Sequence, residues 1–317
     1  MNILVTGAGG FLGGYLVKHL LAEGHAVRTV SRRPLDQWTQ HWDDAQNMQV
    51  DLCDPAACAS AVAGMEQIYH LAAMIGGIGF LESNHADCTQ SVVPTSNLLH
   101  VAAKATEVKR FLFPSSACVY PDTGEAWGEP LREDDVRPYA PRGGYGWAKL
   151  FGEQMCGFYA EQHALEVRIP RLGTVYGPLS PVGPNEKAPI ALCRKVLSAK
   201  RAGRDTLEIW GDGEQTRSFL YVDDAIAGLI AVMNGDYAGP INIGSEQRVT
   251  INALADEIEG IAGTALKRVY LPDAPQGVRG RVASTFLARN LCGWQEMTGL
   301  GVGLKQTYAW MEERAHG

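Results

Sequence analysis

Along the first half of the chain, short runs of apolar and β-branched residues alternate with longer stretches whose apolar positions recur at helical spacing. Asn2–Thr6 predicts a strand and Phe11–Leu21 a helix. Ala26–Ser31, Met48–Leu52, Gln67–Ala73 and Arg110–Ser115 predict four further strands, and Thr89–Ala105 is the most extended helical pattern between them. The strands are nearly continuous in their apolar character. Such strands belong to a sheet covered on both faces, so the pattern predicts an α/β fold with a doubly wound parallel sheet. After about Arg171 the rhythm changes. Pro and Gly cluster between Gly177 and Pro189, and a helix is predicted over Ile190–Ser198. Leu207–Trp210, Phe219–Val222 and Ile241–Ile243 read as short strands, with helices near Asp223–Met233 and Ile251–Ile261. The expectation is a first lobe over 1–170, with segments near 207–232 returning to it, and a smaller C-terminal α/β lobe over 171–317.

The junction of the first strand and helix carries chemistry. Gly7, Gly10 and Gly13 sit in the turn, and Phe11 and Leu12 open the helix. Glycine permits the tight turn and close approach of a pyrophosphate, while the helix N-terminus offers N–H donors. A Gly-rich loop alone is a weak signal, but strand before and helix after is the context it requires. The expectation is a Rossmann-type fold holding NAD or NADP tightly. An acidic residue about 20 positions on would bind the ribose 2′-OH of NAD. Ser31-Arg32-Arg33 stands there instead, and Asp36 lies past the strand. Two readings stay open: arginines for a 2′-phosphate, or arginines solvated on a loop. Asp51 and Leu52 could touch the adenine, and Leu71, Ala72 and Ala73 would line the cofactor; all five could equally be plain strand ends.

Tyr145 and Lys149 are four apart, which on a helix puts them on one face. An ammonium beside a phenol favours phenolate, lowering its pKa from about 10. That phenol can take a proton from an alcohol while hydride leaves the same carbon. Ser116, at a strand end, can orient the alcohol oxygen. The spacing alone means little; the Gly loop upstream and the serine at a strand C-terminus give it weight.

Bulk properties narrow the classes. Formal net charge is -7 over 317 residues, which gives no electrostatic support for nucleic-acid binding. No apolar run approaches the ~20 residues of a membrane helix, and the start goes straight into a strand, so no membrane role and a cytoplasmic location are expected. Seven irregularly spaced cysteines suggest reduced thiols, with no metal site.

Jointly, the Gly loop, Ser116, Tyr145, Lys149, Arg171 to Pro178, Gly211-Asp212-Gly213, Arg217-Ser218-Phe219, Val222-Asp223-Asp224 and Asn242-Ile243-Gly244 resemble the extended short-chain dehydrogenase/reductases, the NAD-dependent epimerase/dehydratase family. The resemblance covers nearly the whole chain. Within that family, further stretches resemble the GDP-mannose 3,5-epimerase branch. These are His70 to Ala73, Gly76 to Phe80, Ser83 to His85, Ser115 to Pro121, Glu186 to Pro189, Cys193 to Lys195, Gln215 to Phe219 and Gly277 to Arg281.

The resemblance implies a nucleotide-diphosphate sugar as substrate. It places Cys118 and Lys187 as an acid/base pair, and Gly76, Gly77, Ala117, Thr174, Glu186, Lys195, Gln215, Arg217, Arg279 and Arg281 around the substrate. It also implies a homodimer. From the residues alone, Cys118 reads first as a small buried strand-end hydrophobe, and Lys187 equally as a solvated lysine. Three positions depart from the family: Ser31-Arg32 replaces an acid, Met74 stands for a usual Asp, and Thr174 for a frequent Asn. Lys200–Arg204 reads as an insertion. The rival expectations are an NADPH-consuming 4-keto-sugar reductase and, from another class, a catalytically inactive dinucleotide scaffold.

Overall fold

A computed structural model of the chain describes residues 1–124 and 128–315. The chain begins β1 (Asn2–Thr6), α1 (Phe11–Ala22), β2 (Ala26–Ser31), β3 (Gln46–Gln49), α2 (Pro55–Val62) and β4 (Gln67–His70). Helices α3 (Ile78–Ser83), α4 (His85–Thr89) and α5 (Val92–Ala102) follow, then β5 (Arg110–Leu112), β6 (Ser115–Ser116), α6 (Gly143–Gln162) and β7 (Glu166–Leu172). The rest comprises β8 (Thr174–Tyr176), α7 (Ala188–Ala202), β9 (Thr206–Trp210), β10 (Thr216–Arg217), β11 (Phe219–Tyr221), α8 (Val222–Asn234), β12 (Pro240–Ile243), β13 (Val249–Thr250), α9 (Ile251–Ala262), β14 (Lys267–Leu271), α10 (Phe286–Cys292) and α11 (Leu300–Arg314).

The main sheet runs β12-β7-β5-β4-β1-β2-β3, with β6 also on β7. Every pairing in it is parallel. The strands diverge in order from β1, toward β2 on one side and β4 on the other, and such a switch point opens a crevice at the strand C-termini. β5 and β6 form one interrupted strand. Pro114 has no N–H to continue the ladder, while the Phe113 amide still reaches the Arg168 carbonyl at 2.9 Å. That break turns Ser115 and Ser116 toward the crevice.

The predicted doubly wound parallel sheet is the observed one. The third strand lies further toward the N-terminus than expected, over Gln46–Gln49, so Asp51 and Leu52 fall in the turn beyond it. Its amides pair with β2 in register from Arg28 to Ser31, and the Asp51-Cys53 turn then leads into α2. β9 stays out of the main sheet and pairs with β14 in parallel register. It is α8, packed on β7, and β12 that join the first lobe's sheet. One buried cluster runs from Val5 and Leu16 to Leu192, Leu254 and Leu304, so the two lobes share apolar packing.

Candidate active site

Gly7 carries the turn after β1 at φ +68°, and a Cβ there would stand 2.7 Å from the Ala72 amide nitrogen. Gly13 lets α1 approach the loop: a Cβ would come within 2.3 Å of the Gly7 carbonyl oxygen. The N-cap of α1 is Gly10, with no side-chain cap and no acidic residue in the first turn. The helix start therefore presents its amides and positive dipole end to whatever enters the cleft.

A buried hydrogen-bond chain fixes the neighbouring wall. Thr95 donates its hydroxyl proton to the Ser91 carbonyl at 2.8 Å, so its oxygen must accept from His70 Nε2 at 3.0 Å. His70 Nδ1 then accepts from the Thr6 hydroxyl at 2.8 Å, and that hydroxyl oxygen accepts from the Ala72 amide at 3.2 Å. The tautomer follows from counting protons. Burial pushes the imidazole down to about 3, so it stays neutral at any working pH. The effect is to hold Leu71 to Met74 against the glycine turn.

Tyr145 and Lys149 are buried on the first turns of α6. Lys149 Nζ donates to the Pro114 carbonyl at 2.7 Å and lies 5.9 Å from the Tyr145 ring centroid and 4.6 Å from that of Phe113. Burial lowers Lys149 to about 8. Burial and the nearby Cys118 raise the Tyr145 hydroxyl well above its ordinary value, while a hydrogen bond with Ser116 pulls the other way. The Ser116 hydroxyl also accepts from the Cys118 amide at 3.2 Å. One residue pair below, Glu153 takes Arg171 in two hydrogen bonds of 2.8 and 2.7 Å, with both side chains 3% exposed. Tyr145, Lys149 and Glu153 follow at four-residue intervals on one helix face, so this ion pair anchors the face that carries the phenol.

The opposite side is cationic. Arg217 donates to the carbonyls of Thr216 and Gln276, each at 2.7 Å, and Arg281 to the Ala117 carbonyl. Neither forms an ion pair among the described residues, and desolvation lowers both, Arg217 to about 10. Lys187 Nζ, 3.4 Å from the Val175 carbonyl, is lowered by burial to about 8 and feels the Cys118 sulfur. Buried Ser115 Oγ, Ser180 Oγ, Gln215 Oε1 and Arg281 Nε lack protein partners, and all four residues line the same cleft. Buried polar atoms are otherwise nearly always satisfied, so these point to a polar ligand.

The cleft measures about 1220 Å³, more than one drug-sized ligand needs. Gly7, Gly10, Phe11, Leu12, Gly13, Ser31, Arg32, Arg33, Asp51, Leu52, Leu71, Ala72 and Ala73 line it. So do Gly76, Gly77, Ser116, Ala117, Cys118, Tyr145, Lys149, Thr174, Glu186, Lys187, Lys195, Gln215, Arg217 and Arg281. Arg279 does not. It lines a separate depression of about 480 Å³, where Asp212 accepts from its Nη1 at 2.9 Å. Sequence reasoning overlooked Arg142, which joins Glu82 at 2.7 Å and Asp122 at 2.9 Å on the cleft rim. The Ser115-Ser116 pair at a strand end was the sequence signal for a hydroxyl here, and both residues line the cleft.

A glycine-turn crevice joined to a Ser–Tyr–Lys group and a carboxylate-free arginine pair defines a dinucleotide-binding enzyme with room for a second, anionic ligand. The family model described as "NAD dependent epimerase/dehydratase family" matches residues 3–244, and the chain belongs to that family. A GDP-mannose 3,5-epimerase 1 of Oryza sativa subsp. japonica is 34% identical over 99% of this chain and 82% of its own length. The UDP-glucose 4-epimerase of Thermotoga maritima, solved with UDP-glucose, superposes with a TM-score of 0.90 at 25% identity, over 99% of this chain and 100% of that one. The UDP-glucuronic acid 4-epimerase of Bacillus cereus, in complex with UDP-glucuronic acid and NAD, gives 0.85 at 25% identity, over the same shares of the two chains.

Proposed function

We propose that the protein is a nucleotide-sugar epimerase of the GDP-mannose 3,5-epimerase kind. The observation that carries this reading is that Cys118, just after β6, and Lys187, at the start of α7, share one chamber with Ser116, Tyr145 and Lys149. The likeness to the rice enzyme supports the choice of sugar class. The glycine turn, the uncapped start of α1 and the orphaned polar atoms fit a dinucleotide and an anionic sugar ligand. The bound dinucleotide would supply a hydride acceptor at sugar C4 and return the hydride later.

The chain's own groups do the rest. Ser116 holds the C4 oxygen while Tyr145, as a phenolate stabilised by the Lys149 ammonium, takes its proton and becomes the phenol. The C4 ketone acidifies the C–H bonds at C3 and C5. Cys118, as thiolate, removes a proton from one ring face, and Lys187, as ammonium, returns one to the other, so the carbon inverts with no net gain of protons. Arg217, Arg281 and Gln215 of the C-terminal lobe take the diphosphate, which supplies the charge those arginines lack. Residues 171–317 act as the nucleotide-sugar lobe. Trp147, Phe151 and Phe158, about half exposed along α6, form the contact face of a homodimer.

The test is turnover of GDP-mannose with the nicotinamide absorbance followed throughout. An epimerase converts many equivalents of sugar while the absorbance stays flat. Stoichiometric loss of reduced nicotinamide would replace this reading with the 4-keto-sugar reductase.

A further inference from the structure

We propose that the end of β2 forms a 2′-phosphate subsite, and that the protein selects NADP(H) over NAD(H). The inference rests on the reading that the cleft binds a dinucleotide. In a doubly wound sheet the end of the second strand, beside the glycine turn, faces the adenosine ribose. A carboxylate there would accept the 2′-hydroxyl of NAD; Ser31 stands in its place, its Oγ accepting from the Arg33 amide at 3.3 Å. Asp36 sits beyond Pro34 in an exposed single turn and is absent from the cleft lining. Asp51 does line the cleft, but its Oδ1 accepts from the Cys53 amide at 3.0 Å, and it forms no ion pair among the described residues.

The two arginines are prepared differently. Arg33 donates to the Gly9 carbonyl at 2.5 Å, and its own carbonyl accepts from the buried Trp38 indole at 2.9 Å, so its guanidinium is fixed beside the glycine turn. Arg32 is exposed, and its guanidinium reaches the Met74 thioether at 3.7 Å. A thioether is a weak acceptor and no counter-ion. Both residues line the cleft and neither forms an ion pair among the described residues, though Asp51 is near enough to feel the Arg32 charge. Adjacent guanidinium forks suit a dianionic phosphate, and neither gains anything from a bare ribose hydroxyl.

Calorimetric titration of the nucleotide-stripped protein with NADP⁺, NAD⁺, adenosine 2′,5′-bisphosphate and ADP tests this without any turnover. NADP⁺ should bind ~10–100-fold more tightly than NAD⁺, and the bisphosphate more tightly than ADP by a similar factor, the range of one or two charge-assisted contacts. In Arg32→Ala and Arg33→Ala the NADP⁺/NAD⁺ ratio should fall toward one, and in Ser31→Asp it should invert. Mass spectrometry of nucleotide released from the purified protein should find the phosphorylated form. Equal binding of the two dinucleotides, or preference for NAD⁺, overturns the subsite while leaving the dinucleotide cleft intact. Binding of neither overturns the cleft reading itself.

Discussion

Arg171, behind the cleft on the Tyr145–Lys149–Glu153 face of α6, and the Arg217–Arg281 pair lining it are all withdrawn from water, but among the described residues only Arg171 of the three pairs with a carboxylate. Glu153 accepts from the Nε–Nη2 edge of its guanidinium, and Tyr120 and the Glu133 carbonyl accept from its Nη1 at 3.3 and 2.7 Å. Among the described residues, Arg217 and Arg281 donate to backbone carbonyls and form no ion pair. A desolvated cation without a partner costs folding free energy unless something else neutralises it. The first arrangement belongs to the fold, since it completes itself and fixes α6. The second lacks a counter-charge that an anion would supply. On the proposed reading, the first wall holds the chemistry and the second takes the substrate's diphosphate.

Breaking the paired side should have the largest effect. Glu153→Gln strands the Arg171 cation, and the expected loss of stability is on the order of 3–5 kcal/mol, read from chemical denaturation. Breaking the unpaired side should weaken binding without that penalty. Arg217→Met should raise the Kd for a GDP-sugar ~10–100-fold while leaving Tm unchanged or higher, because it removes an uncompensated cation. A fall in Tm comparable to that of Glu153→Gln would mean that Arg217 is structural after all.

A pH profile sharpens the same contrast. Burial lowers Lys149 and Lys187 to about 8, so both are ammonium below that value and lose the proton above it. With the ammonium forms needed to stabilise the phenolate and to donate a proton, turnover should fall as pH rises through about 8. The smallest effect is expected from Arg279→Ala. That residue is exposed and already joined to Asp212, and GDP-sugar affinity should change less than ~3-fold.

Much of this was legible in the residues. The glycine turn and the first two strands were placed to the residue, because β-branched runs and a Gly-rich junction are local signals. Ser116, Tyr145 and Lys149 could be grouped because the sheet brings strand C-termini together. Arg279 was drawn into the substrate set by its neighbours in Gly277 to Arg281, yet it lines a separate depression and is held there by Asp212, a residue distant in sequence. β14 and α11 were not foreseen. Lys267–Leu271 begins with two charges, and its only strand partner is β9, so its sequence reads as a loop. Leu300–Arg314 opens with Gly301 and Gly303, poor helix formers, and a Cβ on Gly303 would stand 2.3 Å from the Tyr176 hydroxyl. Whether an arginine meets a carboxylate depends on residues distant in sequence, and no local pattern reports that.

The central claim is that Cys118 and Lys187 invert carbon next to a transient ketone made by Tyr145. Incubation of GDP-mannose with the protein in heavy water, followed by proton NMR, tests it directly. The wild-type protein should place deuterium at C3, C5 or both. Cys118→Ala should abolish that labelling and still bind the dinucleotide. Labelling that persists in Cys118→Ala, or a wild-type protein that turns the sugar over with no label at either carbon, would contradict the account.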